Sequence, residues 1–196
     1  MHDILLSELY DHAVKNETIY DIGAYHGVYT LALASKGCLV YAFEPNPNSY
    51  EKLLTNVNLN GFKNVKAFNI GLSDHRNMLE FFVSSDPGRS SFHRFNATYG
   101  GNKIVSIKRI DVDTLDNLIE EKRIVPPNHI KIDVEGHELK ILRGGKATIM
   151  KYRPMIWLEI HETSYGNYRV DKLNQILSSM EYQITKYGDK WICAPL

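Results

Sequence analysis

The feature that most narrows the fold of this chain is a series of short apolar runs separated by stretches with helical spacing. The runs are Ile19 to Ile22, Leu39 to Phe43, Val65 to Ile70, Ile130 to Val134 and Met155 to Ile160. Each is continuous rather than alternating, so each needs cover on both faces, and the intervening stretches suit crossover helices. The pattern predicts an α/β domain of the Rossmann-like, doubly wound type with a mostly parallel sheet. One connecting helix has explicit ends. Asn46 can cap it, Pro47 fits its first turn, Tyr50, Leu53, Leu54 and Val57 give its apolar face, and Gly61 stops it. Another starts near Glu138, carries Leu139, Ile141 and Leu142, and is broken or re-aimed at Gly144-Gly145.

Residues 1–16 read as an amphipathic helix, with Ile4, Leu5, Leu9 and Ala13 at helical spacing for packing. Residues 78–110 break the rhythm: Leu79, Phe81 and Val83 alternate, as do Val105 and Ile107, around a Gly-, Ser- and Asn-rich middle. They are expected to form an inserted antiparallel strand pair. Its joining loop, Gly88 to Gly101, is read as mobile, either bordering a substrate or making a plain surface excursion. A helix over Val170 to Met180 then precedes two strands, Tyr182 to Tyr187 and Lys190 to Ala194, turned at Gly188-Asp189. With 196 residues, 43% of them hydrophobic, one domain covering 1–196 is expected.

Composition disfavours several classes of function. Lys plus Arg and Asp plus Glu stand at 23 each, so the chain lacks the positive excess that holds a protein on nucleic acid or an anionic membrane. Cys38 and Cys193 fall in apolar, strand-like stretches and read as buried thiols. The opening residues carry Asp3, Glu8 and Asp11 in place of a signal peptide's basic start, and no segment is apolar enough to span a bilayer. The expectation is a cytoplasmic protein; its oligomeric state is not legible.

The first apolar run leads through Asp21-Ile22-Gly23-Ala24-Tyr25-His26-Gly27 into a helix carrying Tyr29, Leu31 and Leu33. A glycine turn lets a ligand approach bare backbone, and the helix start offers amides to a carboxylate. Asp21 adds negative charge, for an ammonium group or for ordering the turn. Glu44 ends the second run, where a doubly wound sheet presents a carboxylate to a ribose diol. Gly71-Leu72-Ser73-Asp74 follows the third and can wrap an adenine. Each also has a purely structural reading, as turn glycines, a helix cap or a turn aspartate. Jointly they point to S-adenosylmethionine, whose amino acid end carries both charges. A nicotinamide fingerprint is disfavoured, because Tyr25 stands where the backbone would approach a pyrophosphate.

These residues resemble the FkbM-like methyltransferases, within the class I S-adenosylmethionine-dependent superfamily. The likeness rests on Asp21-Ile22-Gly23-Ala24 with Gly27 and Thr30, Phe43-Glu44-Pro45-Asn46-Pro47 with Asn56 to Asn60, Leu72-Ser73-Asp74, Lys131-Ile132-Asp133-Val134-Glu135-Gly136 with Glu138, and Glu159-Ile160-His161. It implies a seven-stranded sheet with the last strand antiparallel, and O-methylation of hydroxyls on sugars, glycans or polyketide-like small molecules. It also implies that Asp21, Gly23, Ala24, Gly27, Glu44 and Asp74 hold the cofactor; Pro45, Leu72, Ser73 and Asp133, beside them in the sequence motifs, are further cofactor candidates. Tyr25-His26 departs from the family, which commonly has Asn followed by a small or aliphatic residue.

If the fourth strand runs through Val134, Asp133 and Glu135 alternate onto one side at its carboxyl end, with His161 at the end of the neighbouring strand. His161, with an ordinary pKa near neutrality, is the preferred base for removing a hydroxyl proton; Asp133 and Glu135 are alternatives. The trio also resembles a set for Mg²⁺ and a diol, but no further ligand run supports it and no metal site is assigned. Arg89, Ser90, Ser91 and Arg94 are candidates for contacting the acceptor, and Tyr165, Tyr168 and Arg169 for stacking on a sugar. The competing readings are a nucleic-acid methyltransferase and a non-catalytic cofactor-binding or interaction protein.

Overall fold

The computed structural model describes residues 3–161 and 166–196, with side chains from 170 onward in the second stretch. Tyr165 and the side chains of Tyr168 and Arg169 lie outside it.

The strands are β1 (Thr18–Ile22), β2 (Leu39–Phe43), β3 (Val65–Phe68), β4 (Gly71–Leu72), β5 (Asn77–Ser84), β6 (Ile104–Asp113), β7 (His129–Ile132), β8 (Met155–Glu159), β9 (Tyr182–Tyr187) and β10 (Lys190–Pro195). Seven of them form one sheet in the order β3-β2-β1-β7-β8-β10-β9. The last strand, β10, runs antiparallel to both neighbours, as expected. The remaining three form a small separate sheet, β4-β6-β5.

Helices α1 (Ile4–His12), α2 (Val28–Ser35), α3 (Pro47–Leu59), α4 (Arg94–Thr98), α5 (Leu115–Glu120), α6 (Glu138–Gly144), α7 (Lys146–Tyr152) and α8 (Gly166–Ser179) complete the chain. Asn46 caps α3 by accepting from the Asn48 amide at 3.2 Å, with Pro47 at its first position. Gly145 parts α6 from α7, as the paired glycines predict. Every residue of β1 is buried, and Ile19, Tyr20, Val40, Ile130, Ile156 and Trp157 are at most 1% exposed. Burying a large apolar side chain stabilises the fold by ~1.5–3 kcal/mol, so the twice-covered parallel strands form its firmest part.

Two expectations change. The fourth run stops being strand at Ile132, and Glu135 and Gly136 adopt positive φ of 47° and 111°. A tight turn, rather than strand alternation, therefore aims Asp133 and Glu135. The inserted pair is present, with Phe82 opposite Ile107 and Phe81 opposite Lys108. It gains a third strand, since Gly71-Leu72 pair parallel with Val112-Asp113, and its joining segment is built from α4 and two single-turn 3-10 helices rather than a plain loop.

Sheet order reverses direction between β1 and β7, and at that switch point the carboxyl ends of neighbouring strands splay apart and leave a crevice. Among the described residues, no helix is long and apolar enough to cross a membrane.

Candidate active site

The crevice is framed first by backbone. Gly23 follows β1 at φ 79°, and a Cβ placed there would lie 1.8 Å from the Asp133 carbonyl oxygen. Only glycine fits, by conformation and by space. The Gly23 and Ala24 amides donate to the Phe43 carbonyl, at 3.0 and 3.1 Å, tying this turn to the end of β2. Next to it Glu44, 6% exposed, accepts from the Tyr25 amide at 2.7 Å and the Asn46 amide at 2.8 Å. Burial pushes its pKa up to about 7 against the downward pull of those amides. Glu44 thus orders two turns and still borders the cavity, where each carboxylate oxygen keeps a second acceptor direction for a diol.

Asp21 does not reach the cavity. It is wholly buried, accepts from the Thr30 hydroxyl at 2.6 Å, and pairs with the Lys131 ammonium at 3.0 Å. Of its two proposed roles, the geometry matches ordering the turn. Lys131 also donates to the Gly23 carbonyl at 3.0 Å and stands 3.8 Å from Asp133. Burial opposes the Lys131 charge, but Asp21 and Asp133 outweigh it and hold its pKa above the ordinary value. A lysine inside an apolar strand must find such partners, and that was the signal available in Lys131-Ile132-Asp133.

Beside this pair, His161 Nε2 lies 2.7 Å from Asp133 Oδ1, and its Nδ1 lies 3.6 Å from Glu135 Oε1. Burial would lower the imidazole pKa; the Asp133 hydrogen bond and both carboxylate charges override it and push it up to about 9. Asp133 is correspondingly held below the usual carboxylate range, burial being outweighed by Lys131 and His161. Glu135 goes the other way, pushed up to about 7, chiefly by burial. The expected near-neutral histidine is therefore an imidazolium at neutral pH. Of Asp133, Glu135 and His161, the group poised near 7 is Glu135, on a backbone of positive φ, where strain commonly marks a functional position.

These groups meet in a cavity of ≈ 300 Å³. Of the anticipated cofactor residues, Gly23, Glu44, Pro45, Leu72 and Asp133 line it. Ala24 packs in the core with Ala42 and Leu53, and Gly27 starts α2 in the left-handed conformation. Gly27, at the cap position of α2, has no side chain to cap the first amides of the helix, and it does not line the cavity. Ser73 is buried and meets His137 Nε2 at 3.0 Å, while Asp74 bonds His75 at 2.7 Å; neither lines the cavity.

Of the anticipated acceptor residues, only Ser90 borders the cavity. Ser91 is buried and its hydroxyl donates to the Glu135 carbonyl at 2.7 Å, so it pins the insert to the turn at Glu135-Gly136. Arg94 lies outward over the Phe82 ring at 5.8 Å. Arg89 follows the lining residues Pro87 and Gly88 in sequence but does not itself line the cavity. Sequence reasoning missed Phe92 and His137. Phe92 borders the cavity and presses on Gly71, where a Cβ would come 2.5 Å from its ring. His137 lines the cavity, meets Ser73 at 3.0 Å and His93 at 3.3 Å, and so links the loop after β4 to the insert. No residue spacing reveals that link, because it joins segments far apart in the chain. Glu159, also lining the cavity, pairs with Lys190 at 3.1 Å.

The model of the methyltransferase FkbM domain matches residues 21–184, most of the chain. The chain belongs to the FkbM methyltransferase family. Among its relatives, the hexuronic acid methyltransferase AglP of Haloferax volcanii is 29% identical over 78% of this chain and 59% of its own length. A tRNA (guanine(37)-N(1))-methyltransferase of Ciona intestinalis is 41% identical, but over only 34% of this chain and 14% of its own. The chain thus spans under two thirds of each. The crystal structure of an FkbM methyltransferase from Methylobacillus flagellatus superposes with a TM-score of 0.64 at 21% identity, covering 93% of this chain and 44% of that one. That likeness confirms the Rossmann-like FkbM fold.

Proposed function

We propose that this FkbM-family chain is an S-adenosylmethionine-dependent O-methyltransferase whose acceptor is a hydroxyl of a sugar, glycan or polyketide-like small molecule, with a sugar the favoured class. One observation carries the reading: Asp133, Glu135 and His161 converge on the same cavity as Gly23 and Glu44. The fit to the cofactor rests on the bare backbone at Gly23 and the carboxylate of Glu44 beside Pro45 and Leu72. When bound, the cofactor supplies a methyl group on a sulfonium for in-line displacement.

The remaining work falls to the chain. Glu135 accepts the hydroxyl proton as the new carbon–oxygen bond forms; its pKa of about 7 leaves it both free and basic near neutrality. Asp133 fixes the His161 ring through Nε2, and the imidazolium presents Nδ1 toward Glu135 and holds that carboxylate in place. Mg²⁺ assistance is the weaker alternative, and turnover in the presence of a chelator would exclude it. The AglP relationship supports a sugar acceptor. A nucleic-acid acceptor has less support, since the chain is formally neutral.

The test is titration calorimetry with S-adenosylhomocysteine, followed by transfer of labelled methyl from the cofactor to a panel of sugars. Binding that Glu44→Ala weakens at least about tenfold, with label appearing on a sugar oxygen, is the expected outcome. Binding of NADH without response to either sulfur cofactor would overturn it.

A further inference from the structure

The charges of this neutral chain are not evenly spread. From residue 87 to 110 there are five cations, Arg89, Arg94, Lys103, Lys108 and Arg109, and no acidic residue. The same segment supplies the acceptor-side wall of the cavity through Pro87, Gly88, Ser90 and Phe92. A wall biased to one sign raises the local concentration of oppositely charged ligands.

Arg89 is the cation best placed to use this bias. It lies in sequence between two lining residues, Gly88 and Ser90, and its positive field reaches Glu135. Its guanidinium sits over the Tyr99 ring at 5.5 Å, a contact that uses the cation's charge without using its N–H donors. Its ion-pair partner among the described residues is Asp86, at 3.8 Å, beyond hydrogen-bond distance, and it donates no side-chain hydrogen bond within the described chain. A planar fork with unused donors, carried between two cavity-lining residues, matches a carboxylate or another planar oxyanion. It also answers an electrostatic difficulty. Asp133 and Glu135 would repel an anionic acceptor, and the positive field of Arg89 offsets that repulsion.

We propose that the acceptor is an acidic sugar, and that Arg89, carried between the cavity-lining Gly88 and Ser90, is the residue that selects its negative charge. This rests on the sugar-methylating reading above. The proposal concerns a single anionic group carried by a sugar, since the charge bias is confined to the insert and the chain as a whole is neutral.

The test compares methyl transfer to a panel of hexuronic acid glycosides with transfer to the matching neutral hexose glycosides. The selectivity is read as the ratio of their kcat/KM values in the wild-type chain, Arg89→Ala, Arg89→Glu and Arg89→Lys. The expected wild-type ratio favours the acidic sugar at least about tenfold, the scale of one charge-assisted hydrogen bond, and falls with rising salt. Arg89→Ala brings the ratio toward one, Arg89→Glu inverts it, and Arg89→Lys restores part of it. Unaltered S-adenosylhomocysteine affinity shows that each variant is folded. Wild-type turnover of neutral sugars as fast as acidic ones, or an unchanged ratio in Arg89→Glu, would overturn the proposal. Cofactor binding without methylation of any sugar, or methylation of an RNA oligonucleotide in preference to them, would overturn the sugar reading and this inference with it.

Discussion

The turns that close β1, β2 and β7 and the sheet inserted between β3 and β7 border one cavity but are built by opposite rules. In the turns, nearly every polar group is spent inside the protein. Asp21 and Lys131 are 0% and 2% exposed, Glu44 holds two amides, and Gly23 sits against a carbonyl with no room for one more atom. The insert leaves Val105 62% and Ile107 50% exposed, displays Phe95 and Tyr99, and reaches the main body through a few side chains such as Ser91 and Phe92. On the function proposed above, recognition of the cofactor would be written in backbone geometry that tolerates little change, and recognition of the acceptor would hang on side chains that can change without unsettling the frame.

The sharpest test of that division is Gly23→Ala. The added carbon meets the Asp133 carbonyl and demands a positive φ, so cofactor affinity should fall by more than about a hundredfold, or the chain should fail to fold. Calorimetry and far-UV circular dichroism would separate the two; near-normal binding would break the comparison at its root. Lys131→Met comes next. It leaves Asp21 buried without its cation, which costs ~3–5 kcal/mol by denaturant unfolding.

Glu135→Gln should lower kcat by about a hundredfold or more, with S-adenosylhomocysteine affinity retained. The sign of the pH effect follows from its pKa of about 7. The base must be free, so wild-type kcat/KM rises with pH through about 7 and levels off above. If His161 were the base, the rise would come near 9, and a profile there would reassign the roles. The smallest effect belongs to Ser91→Ala, which removes a bond worth ~0.5–1.5 kcal/mol between the insert and the turn at Glu135-Gly136. A several-fold rise in acceptor KM, with cofactor affinity unmoved, would sharpen the contrast; equal losses in both would blur it.

The same divide decides how much the sequence could tell. Continuous apolar runs and a capped helix leave few alternatives, so the doubly wound sheet, the start of α3 at Asn46-Pro47 and the break at Gly145 were all legible. Gly23 and Glu44 were legible because their surroundings are local, within a turn of the strands that carry them. Asp133 and Glu135 were found for a mistaken reason, since alternation past Ile132 gives way to a turn at Glu135-Gly136. The ionisation of His161 was out of reach, because it depends on charges whose distances only the folded chain sets. Pairing Ser91 with Glu135 and His93 with His137 crosses more than forty positions, and nothing in local spacing announces it.

The contact between Asp21 and Lys131 spans 110 positions, and Gly23 touches Asp133 across the same interval. The frame of the cofactor site is therefore also a seam between two distant parts of the chain. Each closing contact bears the entropy of a long loop, so this seam can shut only after much of the chain has collapsed. A nascent chain that has not yet reached β7 carries the glycine turn and Glu44 but lacks the surface that shapes them. Competence to hold the cofactor should appear late in folding, as one cooperative event, rather than grow strand by strand.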